Sequence, residues 1–214
     1  MFHFEAGPNR WKLGFKDAVV KSFKFLRKYG FRRVRAEATL VRYETPWYSF
    51  KRRFYMNVYH SRGSYEMGVE LGPKNSDRDM VNLPWILRWA GAPEADACFG
   101  DEGERTMFFA ETRDAVQSLV PRMAALFQKY ADPFLRRDPE AFKAVKAMVK
   151  RADEVYMERL NRLAPKRAQA SAAWEIEEFE RVVAIYESFE DELMAGERER
   201  LADAKKRLAA RARH

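Results

Sequence analysis

The chain has 214 residues, 47% hydrophobic and 34% charged, which excludes a disordered polymer and allows one large or two small domains. Its formal charge of +8 is unevenly placed: residues 1–90 hold 18 Lys/Arg against 8 Asp/Glu, net +10, whereas 91–214 hold 22 against 24, net −2. The single cysteine, Cys98, excludes an intrachain disulfide, and no run forms a membrane span or a signal-peptide core, so the expected setting is the cytoplasm.

Residues 11–29 are predicted as one helix after a cap at Asn9. Phe15, Val19, Phe23 and Leu26 recur at spacings of three and four and form its buried stripe. Lys12, Lys16, Lys24 and Lys28 lie mostly off that stripe. Lys24 and Lys28 also suit the helix C-terminus, and Gly30 is a left-handed terminator.

Three alternating stretches follow. Val34, Ala36, Ala38 and Leu40 share one parity of the first; Phe54, Met56 and Val58 of the second; Tyr65, Met67, Val69 and Leu71 of the third. Period two with one apolar side is the pattern of antiparallel strands covered on one face. The connections are ETPWYS at 44–49 and the SRGS turn at 61–64. Pairing Val58 with Met67 and Ala38 with Phe54 puts Arg33, Arg35, Arg53, Tyr55 and Tyr59 on the opposite face, beside Glu37, Glu66 and Glu70. Arginines interleaved with tyrosines suit phosphates and bases of a single strand, which makes these five the candidate contacts for nucleic acid or another partner. The three glutamates on that face favour cross-strand pairing instead. They also carry a third reading, a hydrolase using sheet-edge carboxylates. Lys51, Arg52 and Arg53 add a short basic run near the second strand.

NLPWILRWAG at 82–91 reads as a short helix capped by Asn82, with Pro84 in its first turn and Gly91 at its end. Trp85 and Trp89 share one face of it. Nine of the ten glycines precede residue 104, and 91–104 concentrates glycine and acids. The expected division is therefore a basic α+β unit at 1–104 and a helical bundle or hairpin array at 105–214. Beyond it, a stripe from Val116 to Tyr130 defines a helix that Pro121 kinks or divides. Asp138–Pro139 starts another, carried by Phe142 to Leu163 and ended by Pro165. Two further helices are expected over about 167–190 and 197–211.

Within the third of these, EEFERVVAIYESF at 177–189 resembles the second helix of a tetratricopeptide repeat. Phe179, Val182, Val183 and Tyr186 follow that family's aromatic–small–aliphatic–aromatic spacing, with Val182 where alanine is usual. The resemblance implies a packed helical hairpin within 168–208 that mediates protein–protein contact. The order of FLRKYGF, a YEMGVEL strand and later helices resembles uncharacterised bacterial α+β proteins, which implies the same fold class.

No phosphate-cradling glycine motif, metal-ligand spacing or nucleophile elbow occurs, and no cofactor is expected. His3, His60 and His214 are isolated from one another in sequence. The expected fold is α+β: an N-terminal helix, a three-stranded or slightly larger antiparallel sheet and a helical C-terminal region. The expected function is that of a non-enzymatic interaction or adaptor protein with a protein partner. RNA or single-stranded DNA association is the first alternative, and the carboxylate hydrolase the second.

Overall fold

The structure, a computed structural model, describes residues 10–46, 53–61, 64–73, 79–98 and 108–211. The fold is α+β, an N-terminal helix followed by an antiparallel sheet and a helical C-terminal region. It forms two compact units, the described residues up to Val149 and those from Lys150 onward. The change in glycine content near residue 104 does not coincide with that division.

In the first unit the expected single helix is three pieces: a 3-10 turn Arg10–Leu13, α1 (Phe15–Ser22) and a 3-10 turn Lys24–Tyr29. Gly14 breaks the first junction in a left-handed conformation, φ 71° and ψ 17°, which glycine adopts without a Cβ penalty. The second break, at Phe23, keeps its ring fully buried while the chain tightens. Gly30, at φ 81°, then closes the segment: its N–H and that of Phe31 donate to the carbonyls of Arg27 and Leu26, a Schellman reversal into the sheet.

Five strands follow in simple meander order: β1 (Arg32–Ala36), β2 (Leu40–Glu44), β3 (Phe54–His60), β4 (Met67–Pro73) and β5 (Val81–Asn82). The first alternating stretch is thus two strands. The chain turns at 37–39, where the Glu37 N–H donates to the Leu40 carbonyl at 2.8 Å. Val58 faces Val69, not Met67, and β3 pairs with β2 through Val41–Val58 and Tyr43–Met56. Because the β3–β4 register differs by two residues, both strands keep their expected faces. Phe109 bridges Glu66 beside the start of β4.

The apolar face holds Val41, Tyr43, Met56, Val58, Met67, Val69 and Leu71, all buried in one core with α1. That core also takes in α2 (Leu83–Trp89), α3 (Arg113–Tyr130), α4 (Asp132–Leu135) and the start of α5 (Pro139–Glu175). Asn82 caps α2 by accepting from the Trp85 N–H at 3.2 Å, and Gly91 ends its helical segment in a left-handed conformation. Pro121 lies inside an unbroken α3. Trp89 packs edge-on against Phe134 at 5.1 Å between centroids.

Pro165 does not stop α5, which continues to Glu175. The stop comes at Glu177, at φ 57°, with the N–H groups of Glu177 and Glu178 donating to the carbonyls of Trp174 and Ala173. In the second unit, α6 (Phe179–Glu187) and α7 (Ala195–Arg211) complete a small core around Leu163, Ala170, Ala173, Phe179, Val182, Tyr186 and Leu201. Phe179, Val182 and Tyr186 are buried there, as the inner face of any amphipathic helix would be. Arg167 and Glu197 join α5 to α7 by a two-pronged ion pair at 2.7 and 3.2 Å, and Glu197 also accepts the Met194 N–H at 2.8 Å.

Candidate functional site

The polar face of the sheet carries a single row across all five strands: Arg35, Arg42, Asn57, Glu70 and Asn82 are successive cross-strand neighbours. Arg42 Nε donates to Asn57 Oδ1 at 2.8 Å, and Asn57 Nδ2 donates to Glu70 Oε1 at 2.6 Å. Asn57 is buried, with both side-chain ends engaged in opposite polarity. Arg42 also lies 5.0 Å from the centroid of the Tyr55 ring.

The five sequence-predicted contacts do not form one open surface. A bulge at Val34 places Arg33 opposite Tyr43 on the core side and Arg35 opposite Arg42 on the polar side. Arg35 is held by Glu37, Nε to Oε1 at 2.6 Å. Arg53 directly precedes β3 and is half-buried, and Tyr55 is buried. Tyr59 is half-buried, its ring so close over Gly68 that a Cβ there would lie 2.4 Å from Cζ. Burial pushes the Tyr59 hydroxyl pKa up, with Glu70 and Glu66 adding to the effect. The rings are therefore packed within the protein rather than presented for stacking.

The carboxylates on this face are engaged separately. Glu37 pairs with Arg35, Glu66 accepts from Ser64 Oγ at 3.1 Å, and Glu70 accepts from Asn57. Lys51, Arg52, Asp77, Asp101, Glu102, Glu104, His3, His214 and the centre of the SRGS turn lie outside the described residues.

A different feature brings four cations together. The reversal at Gly30 folds the turn Lys24–Tyr29 back beside β1 and leaves an open cleft of about 560 Å³ between them. Its rim is Lys24, Arg27, Arg32 and Arg33, all exposed; Phe23, Phe31 and Tyr43 form a buried apolar floor. None of the four cations is in an ion pair among the described residues, and no described carboxylate lines the cleft. Burial pushes the Tyr43 hydroxyl pKa up to about 12 against the opposing pull of Arg33 and Arg27, so the floor stays neutral. The Arg137 Nη2 group donates to the Tyr29 carbonyl at 2.8 Å, and Tyr29 donates its hydroxyl proton to Asp132 at 2.7 Å. These bonds fix the turn that carries Lys24 and Arg27.

Of this rim only Arg33 belongs to the sequence-predicted set. The missed signal is compositional: residues 18–36 contain seven Lys/Arg and no Asp/Glu. Strand parity divides these cations between two faces, whereas the Gly30 reversal gathers four of them around one cleft.

His60 serves packing. It is 1% exposed, and its Nε2 lies 2.9 Å from the Ala110 carbonyl, which can only accept. Arg10 Nη1 lies 3.3 Å from Nε2 and 3.5 Å from Nδ1 of the same ring. Arg10 also donates to the Ser61 carbonyl at 2.7 Å and covers the Tyr65 ring at 3.7 Å. Burial and Arg10 lower the His60 pKa. Cys98 is half-buried, and burial raises its thiol pKa.

Among the described residues no group of three or more His, Cys, Asp or Glu could hold a metal ion, and no helix is long and apolar enough to cross a membrane. A scan of family models and searches among curated proteins and solved structures find no match to the chain.

Proposed function

We propose that the protein is a non-enzymatic interaction protein whose first unit engages an anionic macromolecular partner through the Lys24–Arg27–Arg32–Arg33 cleft. The observation that carries this reading is four exposed cations around a single concave site with no ion pair among the described residues. Elsewhere on the sheet, Arg35 is paired with Glu37, and Arg42 donates to the buried Asn57 amide. Placing four like charges together destabilises the free protein slightly and favours whatever partner neutralises them.

The test is fluorescence anisotropy with fluorescein-labelled poly-glutamate at low ionic strength, followed through a salt series. Binding that weakens with added salt and disappears in an Arg27→Glu/Arg33→Glu double variant is expected. Undiminished binding by that variant, or no binding by the native chain, refutes the reading. Both side chains are exposed, so circular dichroism of the variant should match the native protein.

A further inference from the structure

The cleft is bounded on one side by β1, the edge of the sheet among the described residues, and that edge bears on what kind of anion occupies it. Strand β1 pairs only with β2 among the described residues, and all five of its residues are exposed. An edge strand presents unpaired backbone donors and acceptors, which a polypeptide can satisfy and a phosphodiester chain cannot match in register. The aromatic residues in the cleft floor are the wrong kind for a nucleic-acid strand: Phe23 is 0%, Phe31 1% and Tyr43 6% exposed. Single-strand recognition depends on rings whose faces are free to stack on bases.

We propose that the partner is a protein, and that an extended acidic segment of it lies along β1 with its carboxylates against Lys24, Arg27, Arg32 and Arg33. The assignment rests on the anionic-partner reading above and narrows it to one chemistry. The bulge at Val34 divides the edge into two short stretches, Arg32–Arg33 and Arg35–Ala36. Backbone pairing is therefore brief, and charge complementarity supplies specificity. A second copy of β1 is a poor occupant, because it brings the same arginines to the same edge.

The test uses a short fluorescein-labelled peptide of alternating Glu and Thr and a single-stranded RNA of equal formal charge. Each is titrated into the full chain at low salt, with backbone amides followed by NMR. The expected result is preferential peptide binding, weakened about tenfold or more by Arg27→Glu/Arg33→Glu, with shifted and exchange-protected amides across Arg32–Ala36. Tighter binding of the RNA overturns the acidic-segment assignment and leaves the anionic-partner reading standing. Peptide binding that perturbs amides elsewhere and spares β1 overturns the placement. Absence of binding to both probes refutes the two readings together.

Discussion

Replacing Asn57 by alanine tests whether the polar row across the sheet holds the first unit together. Asn57 is 6% exposed and makes two side-chain hydrogen bonds to charged groups, 2.8 Å from Arg42 Nε and 2.6 Å to Glu70 Oε1. Such bonds contribute about 1.5–3 kcal/mol each when both partners are secluded. Arg42 and Glu70 are half-buried and regain water when Asn57 is removed, so the loss is expected near ~2 kcal/mol for the two bonds together. Direct closure of the gap is disfavoured, since β2 and β4 are two strand spacings apart, roughly 10 Å. Native-state hydrogen exchange at the Met56 and Val58 amides reads the first unit without interference from the second. A change of ~2 kcal/mol corresponds to about thirtyfold faster exchange where global opening of the unit dominates. Asn57→Leu, which restores bulk without the bonds, should show a comparable acceleration. Acceleration below about threefold in both variants would refute a stabilising role for the row, because it corresponds to under ~0.7 kcal/mol.

Further outcomes follow from other contacts. Burial and Arg10 hold the His60 pKa below its ordinary 6.5, so the folded state binds fewer protons there than the unfolded state. Its contribution to stability is present above about pH 6.5 and is lost as pH falls from there through the depressed value; urea titrations at neutral and mildly acid pH should show a weaker dependence in His60→Phe. Gly72→Ala should destabilise the first unit by about 1–3 kcal/mol, since its Cβ would meet the Asp79 carbonyl oxygen at 2.9 Å and Met80 Sδ at 2.6 Å; thermal unfolding checks this. In the second unit, Glu197→Gln should cost about 2 kcal/mol by weakening the charged contact with Arg167, whose side chain is 17% exposed; exchange at α7 amides is the readout. Little change would show that water compensates the pair.

The sequence reveals the sheet's faces better than its partners. Alternation at Met56, Val58, Val69 and Leu71 reports burial, and a shift of two residues preserves burial while exchanging every neighbour. The turn at 37–39 escapes notice because Glu37, Ala38 and Thr39 contain no glycine, proline or asparagine. The continuation of α5 through Pro165 is equally hidden, since proline removes a donor without fixing where a long helix must end. At the candidate site, periodicity identifies Arg33 but separates it from Lys24 and Arg27. What joins them is the conformation of Gly30, a local reversal whose spatial result depends on packing of Leu26 and Phe31.

The bulge at Val34 also bears on how this edge can vary in length. On either side of Val34, Arg32 and Arg35 point to one face and Arg33 and Ala36 to the other. Deleting Val34 alone would leave a regular strand in which all four retain their sides. Deleting Arg33 or Arg35 instead would remove a charge from the surface. Position 34 is thus where a one-residue deletion can pass through evolution or engineering without rewriting which arginines meet the cleft.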